Sequence, residues 1–197
     1  MQSYIEKAIG YDEYRKLIEE AVAAGKTTGE TQSEELSNYT ELNLHRMNRL
    51  DKTIRLNDSL KETIQTLKVN WIWLILTEGW CGDAAQNIPP IERIAAENEG
   101  IKTLYLLRDE NLELMDKHLT NGGRAIPKLI CLDAGSLTEI GNWGSRPKAA
   151  DVLFKKLKAE GLEKPEIIEQ VIRWYNDDKT ESLQAEFETL VIEWAGK

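Results

Sequence analysis

Cysteine is scarce in this chain of 197 residues: Cys81 and Cys131 are the only two, too few for a disulfide framework. Histidine is equally scarce. Neither His45 nor His118 stands at a ligand spacing from Cys81, which argues against a metal site and against a Cys–His nucleophile pair. No cofactor is called for. Positive charge is in deficit, with 25 Lys and Arg against 34 Asp and Glu and a formal net charge of −9, so nucleic acid and anionic membranes are disfavoured as partners. No apolar run approaches the roughly 20 residues that span a bilayer. The stretch MQSYIEKAIGYDEY has neither a basic n-region nor an apolar h-region, so no secretory signal is visible. With so few cysteines, the expected compartment is the reducing cytoplasm. Internal repeats and low-complexity tracts are also missing. What remains is a chain of single-domain length, 41% hydrophobic, able to bury a sizeable core.

Apolar periodicity places the elements. Residues 11–24 carry Tyr11, Tyr14, Leu17, Ile18 and Val22 at helical spacing, with Gly25 as a stop. Thr31 and Glu34 have the spacing of a capping box for a second helix that runs to Ile54. Asn57 or Asp58 can cap a third, carrying Leu60, Ile64 and Leu67. The period then changes. Trp71–Thr77 is too apolar to alternate and reads as a strand buried on both faces. A helix within 82–98, a strand at Ile101–Leu107, a helix over 109–119, a strand at Lys128–Leu132 and a short strand at 137–141 follow. GNWGSRP (141–147) breaks the pattern, and its Trp143 is expected to pack in a hairpin. Pro147 can open a helix to about 160. Helices near 165–176 and 180–194 finish the chain; Trp174 and Trp194 on them suit a helix–helix core or a homodimer contact. Strands and helices interleaved in this order predict an α/β fold.

The stretch TEGWCGDAAQNIPP, residues 77–90, stands where the buried strand ends and a helix begins. It resembles the thioredoxin family. WCGDA (80–84) is similar to that family's WCGxC, and Pro89 lies where its active-site helix carries a proline. RAIPKLICL (124–132) resembles the segment with a cis-proline before an antiparallel strand, and DAGSLTEIGNWG resembles the final hairpin. WCGDAAQNIPP, LLRDENLELMD and NGGRAIPKL together resemble a group of bacterial proteins described only as thioredoxin family proteins. The resemblance implies a thioredoxin-like core over residues 55–160, a mixed sheet flanked by helices. A helical extension at 1–54 and another at 161–197 lie outside it. It also implies a cis Ile126–Pro127 bond that leaves the backbone of Ile126 free for an extended substrate. Two departures stand out: Ala84 occupies the place of the resolving cysteine, and Ile75 that of a buried, proton-handling aspartate.

Cys81 at a helix N-terminus should have its ordinary value near ~8.5 lowered by free N–H groups, with Asp83 opposing. The expectation is an accessible, moderately acidic thiol. Cys131, in the apolar setting LICL, reads as an inert core residue. It lies four residues beyond Pro127, about 13 Å along a strand at ~3.3 Å per residue. A disulfide needs Cα atoms within roughly 7 Å, so any resolving thiol must come from outside. The ends of neighbouring strands bring further residues to the same edge. Trp80 and Ile126 would form apolar walls beside Gly82, Asp83 and Pro127. Arg108, Arg124 and Lys128 could hold a substrate carboxylate, unless each pairs with Asp109, Glu110 or Asp83. The leading expectation is a monothiol redox protein with Cys81 as nucleophile, acting on a protein disulfide or a small-molecule thiol. The alternative is a non-catalytic peptide-binding or adaptor module that uses the proline edge.

Overall fold

The computed structural model describes residues 1–197. Its centre is β1 (Trp71–Thr77), buried at every position. Such a strand must be covered on both faces and paired on both edges, and this one is. β2 (Ile101–Leu107) pairs with it in parallel and β3 (Lys128–Asp133) antiparallel, while β4 (Glu139–Gly144) pairs antiparallel with β3. The sheet order is therefore β2-β1-β3-β4. Nine helices surround it: α1 (Gln2–Ile5), α2 (Tyr11–Ala23), α3 (Glu34–Thr53), α4 (Asp58–Thr66), α5 (Gly82–Ala95), α6 (Leu112–Met115), α7 (Lys148–Ala159), α8 (Lys164–Asp178) and α9 (Glu181–Ala195). This is the α/β architecture expected, a mixed sheet flanked by helices, with additional helices at both ends. No helix is long and apolar enough to cross a membrane.

The terminal helices share the main core with the sheet. Tyr14 of α2 stacks on Tyr105 of β2 at 5.0 Å between ring centroids. On α9, Phe187 meets the edge of Trp73 at 5.5 Å and that of Trp143 at 5.4 Å, and Trp194 meets Trp71 at 6.3 Å. Trp194 is thus a core residue of the chain, only 3% exposed. The pair α7–α8 differs. Ala150, Leu157, Ile167, Val171 and Tyr175 form a small core of their own, separate from the main one.

Local signals fix most boundaries. Asn57 caps α4 by accepting the N–H of Leu60 at 2.8 Å, and Glu163 and Glu166 form a capping box at α8. Four expectations are corrected. Ser33, not Thr31, caps α3, accepting the N–H of Leu36 at 3.2 Å. The helix expected over 109–119 shrinks to Leu112–Met115, because the N–H of Asp109 is given to the Glu78 carboxylate and Asn111 reaches back to the carbonyl of Leu107. The strand expected at 137–141 runs instead over Glu139–Gly144, with a register shift opposite Cys131 and Leu132. Leu137 is left-handed, at φ 56°, so the turn takes the residues that the pattern assigned to the strand. Pro147 caps α7 rather than opening it.

Two glycines of β4 answer to close approaches. At Gly144, φ is 128° and an added Cβ would lie 2.2 Å from the Pro127 carbonyl oxygen. At Gly141 it would lie 2.1 Å from Nε1 of Trp194. Gly141→Ala should therefore push α9 off the hairpin and lower stability by about 1–3 kcal/mol, the usual range for overpacking. Denaturant unfolding checks this. Trp194→Phe, destabilising alone, should cost less in the Gly141→Ala background than in the native chain; additive losses would contradict the contact.

Candidate functional site

The chain leaves β1 through a turn that is anchored from below. Glu78 is fully buried. Its carboxylate accepts the N–H of Asp109 at 2.9 Å and the hydroxyl of Thr28, and Thr28 in turn accepts the N–H of Gly79 at 2.8 Å. The Glu78 carbonyl accepts the N–H of Cys81 at 3.2 Å. Burial pushes the Glu78 carboxyl up to about 7, against the hydrogen bonds from Thr28 and Asp109, which favour the anion. Asn43 of α3 holds the same turn from the side, donating to the Gly79 carbonyl at 3.0 Å.

Cys81 is the N-cap of α5. Its Sγ accepts the N–H of Ala84 at 3.4 Å, and its S–H donates to the Ile126 carbonyl at 3.2 Å. The side chain is buried, at 8% exposure, and burial, then the Asp83 charge, pushes the thiol up to about 12. The accessible, moderately acidic thiol expected from the helix position is overturned. The N–H groups do favour the thiolate, but exclusion from water outweighs them. Cys131 has no exposed surface and sits in mid-sheet opposite Trp73; both cysteines are free thiols.

Asp83 does more than repel. Its Oδ2 accepts from Arg146, with Nε at 3.1 Å, and its Oδ1 accepts the Tyr175 hydroxyl at 2.8 Å. Asn87 donates to Tyr175 at 2.9 Å. Arg146 also lies over the Phe154 ring, 4.2 Å from its centroid. This network seats α7 and α8 beside the start of α5. Between them, α3 and the 124–126 segment opens a cavity of about 570 Å³ with Cys81 in its wall. That volume falls in the range of about 300–1,000 Å³ typical of small-molecule sites.

Trp80, Gly82, Asp83, Arg108, Arg124 and Ile126 all line this cavity. Pro127, joined to Ile126 by a cis bond, is buried behind it. The cations are mostly committed. Arg108 pairs with Asp109 at 2.6 Å and stacks over Trp80, 4.8 Å from the ring centroid. Exposed Arg124 pairs with Asp116 at 2.6 Å. Lys128 is 5% exposed and does not reach the cavity, since its place in β3 is buried. The backbone of Ile126 is only half free: its carbonyl is taken by the Cys81 thiol, while its N–H has no partner in the chain. Sequence reasoning missed Arg46, Glu78, Arg146, Phe154, Ile168, Ile172 and Tyr175. The one legible hint was on α8, where Ile167, Ile168, Val171 and Ile172 are more apolar than one stripe needs: Ile167 and Val171 enter the α7–α8 core, and all four line the cavity.

Because the folded Glu78 carboxyl holds its proton more tightly than the unfolded one, its contribution to stability is full below the unfolded value near ~4.5 and is lost as pH rises through about 7. Glu78→Gln should remove that loss. Measured by denaturant unfolding, the stability of the variant relative to wild type should rise by about 3 kcal/mol between roughly pH 4 and pH 8. A pH-independent difference would show that burial does not perturb this carboxyl.

Comparison with known proteins bears on the fold. Among solved structures, a protein of unknown function, PA1234 from Pseudomonas aeruginosa, is similar at a TM-score of 0.52 and 18% identity, over 76% of this chain and 91% of that one. An HIV epitope scaffold of the 4E10 series is similar at a TM-score of 0.50 and 16% identity, over 84% of this chain and 96% of the scaffold. At such identities the likeness concerns the fold alone. No curated protein matches the chain. The family model described as thioredoxin matches residues 29–158, more than half of the chain, and with β1, the Cys81 turn and the β3–β4 hairpin in their places the protein belongs to the thioredoxin family.

Proposed function

We propose that this protein is a binding module of the thioredoxin family, with the cavity beside Cys81 as its site. One observation carries the reading. The Cys81 thiol is buried in the cavity wall, bonded to the Ile126 carbonyl and raised to about 12, so almost no thiolate is present at neutral pH. Thiolate is the attacking species in disulfide exchange, and a thiol of high pKa is also a slow leaving group. Ala84 supplies no second sulfur. The site therefore favours holding a ligand over turning one over. The covered Ile126 carbonyl also argues against a full strand-type hydrogen-bond pair with an extended peptide, so the cavity rather than the proline edge is the binding surface.

A second reading keeps slow chemistry at the same residue. The Ala84 N–H points at Sγ, which stabilises any thiolate that forms. That thiolate could attack a protein disulfide or a small disulfide such as oxidised glutathione, forming one S–S bond at Cys81 and releasing one thiolate. Release of the adduct then needs an external thiol.

Insulin reduction with dithiothreitol separates the two. The binding reading predicts a rate no faster than dithiothreitol alone, and no glutathione adduct by mass spectrometry after exposure of the native protein to oxidised glutathione. A rapidly formed adduct on Cys81, reversed by excess thiol, would establish the monothiol reading. Insulin reduction at the rate of a dithiol thioredoxin would contradict both.

A further inference from the structure

Six cations line the cavity in a chain of net charge −9: Arg46, Arg108, Arg124, Arg146, Lys158 and Lys164. Three have carboxylate partners, Asp109, Asp116 and Asp83 respectively for Arg108, Arg124 and Arg146. Arg46 has none. It is half-buried on α3, and its bond in the chain is from Nη1 to the Asn43 side-chain oxygen at 2.8 Å. Asn43 is itself fixed to the Gly79 carbonyl, so the guanidinium is held in place rather than left to swing. Nη1 lies 3.9 Å from where a Cβ on Gly82 would be, next to Cys81. Burial disfavours the charged form of Arg46. A positioned, partly desolvated guanidinium without a counter-ion is unfavourable until an anion accepts from its remaining donors.

Beside these charged groups, the lining is largely apolar. Phe154 from α7, Ile168 and Ile172 from α8 and Leu36 from α3 contribute partly exposed side chains to its wall. Ile172 and Arg46 flank Gly82, so apolar wall and cation are adjacent. Lys158 and Lys164 add unpaired positive charge, set against one unpaired acid, Glu35. Peptides fit this arrangement less well, because the Ile126 carbonyl is already occupied by the Cys81 thiol.

Building on the binding reading above, we propose that the cavity takes an amphipathic carboxylate, its apolar chain against α3, α7 and α8 and its carboxylate on Arg46. At about 30 Å³ per water-sized group, the 570 Å³ cavity has room for roughly 19 such groups, enough for a fatty chain of a dozen carbons with its head. A carboxylate accepts two parallel N–H bonds from a guanidinium, which gives orientation as well as affinity.

The test is calorimetric titration of the native chain with dodecanoate, dodecanol and dodecylammonium, all below their micelle concentrations. The expected result is one dodecanoate per chain, bound more tightly than dodecanol, and weaker binding of dodecylammonium. Arg46→Met, which keeps the apolar stem, should weaken dodecanoate by about tenfold or more and leave dodecanol unchanged. Arg46→Lys should restore much of the loss, and dodecanol binding shows that each variant is folded at the site. Equal affinities for the three head groups, or indifference to Arg46→Met, would overturn the carboxylate assignment while leaving the cavity a binding site. Binding of none of them would overturn the assignment and remove this cavity as an apolar-ligand site as well. A free apolar peptide carboxylate binding more tightly than dodecanoate would also overturn it, assigning the cavity to a protein terminus.

Discussion

The carboxylate of Asp83, in the first turn of α5, ties the α7–α8 pair to the helix that leaves the central strand. One oxygen takes Arg146 and the other takes the Tyr175 hydroxyl. Because α7 and α8 have a small core of their own, apolar continuity with the main core does not seat them. Polar contacts do: the Asp83 network, the bond from Arg49 of α3 to Asn176 of α8, and the N–H of Lys148 given to Glu186 of α9. Ile168, Ile172 and Phe154 become walls of the cavity, while Cys81, at 8% exposure, and Ile126, at 4%, pack in the main core at its floor. A charge placed two residues after a cysteine thus acts twice, disfavouring the thiolate directly and holding the helices that roof the cavity beside it.

The same position in the fold can serve opposite ends. A cysteine at the start of a helix is made reactive by free N–H groups when water also reaches it. Here the N–H of Ala84 still points at sulfur, yet burial dominates. Ala84 and Ile75 are consistent with that outcome. Neither supplies a resolving sulfur or a proton carrier, and both are buried apolar residues of the main core. Beneath them, the buried Glu78 carboxylate is used to hold a turn, binding the loop at Thr28 and the chain at Asp109. Unspent beside Cys81 is the half-buried Arg46, whose charge has no carboxylate partner in the chain.

The sheet was legible because its strands are unambiguous. Trp71–Thr77, too apolar to alternate, reads as a doubly covered strand, and its bounds coincide with β1. The hairpin slipped because a left-handed Leu137 and a register shift are set by turn geometry rather than by apolar pattern. At the site, the residues local to the motif were found: Trp80, Cys81, Gly82 and Asp83 lie within one turn, and Arg108, Arg124 and Ile126 follow from strand ends. The roof was not. Arg146 meets Asp83 across 63 positions and Tyr175 across 92, and no local pattern announces a contact at that separation. The error about the thiol has a similar origin, since Cys81 packs in the main core and bonds to Ile126, 45 positions away, and the motif shows neither.

The account turns on how Cys81 titrates. The direct measurement is the rate of alkylation of Cys81 by iodoacetamide against pH, in a Cys131→Ser protein, native and unfolded. With the thiol near 12, the native rate should keep climbing with no plateau up to about pH 10. At about pH 8 it should be on the order of 100-fold slower than in the unfolded chain, after allowing for the greater intrinsic nucleophilicity of a more basic thiolate. A native plateau at or below the ordinary cysteine value near ~8.5 would contradict the account and return the protein to thiol–disulfide exchange.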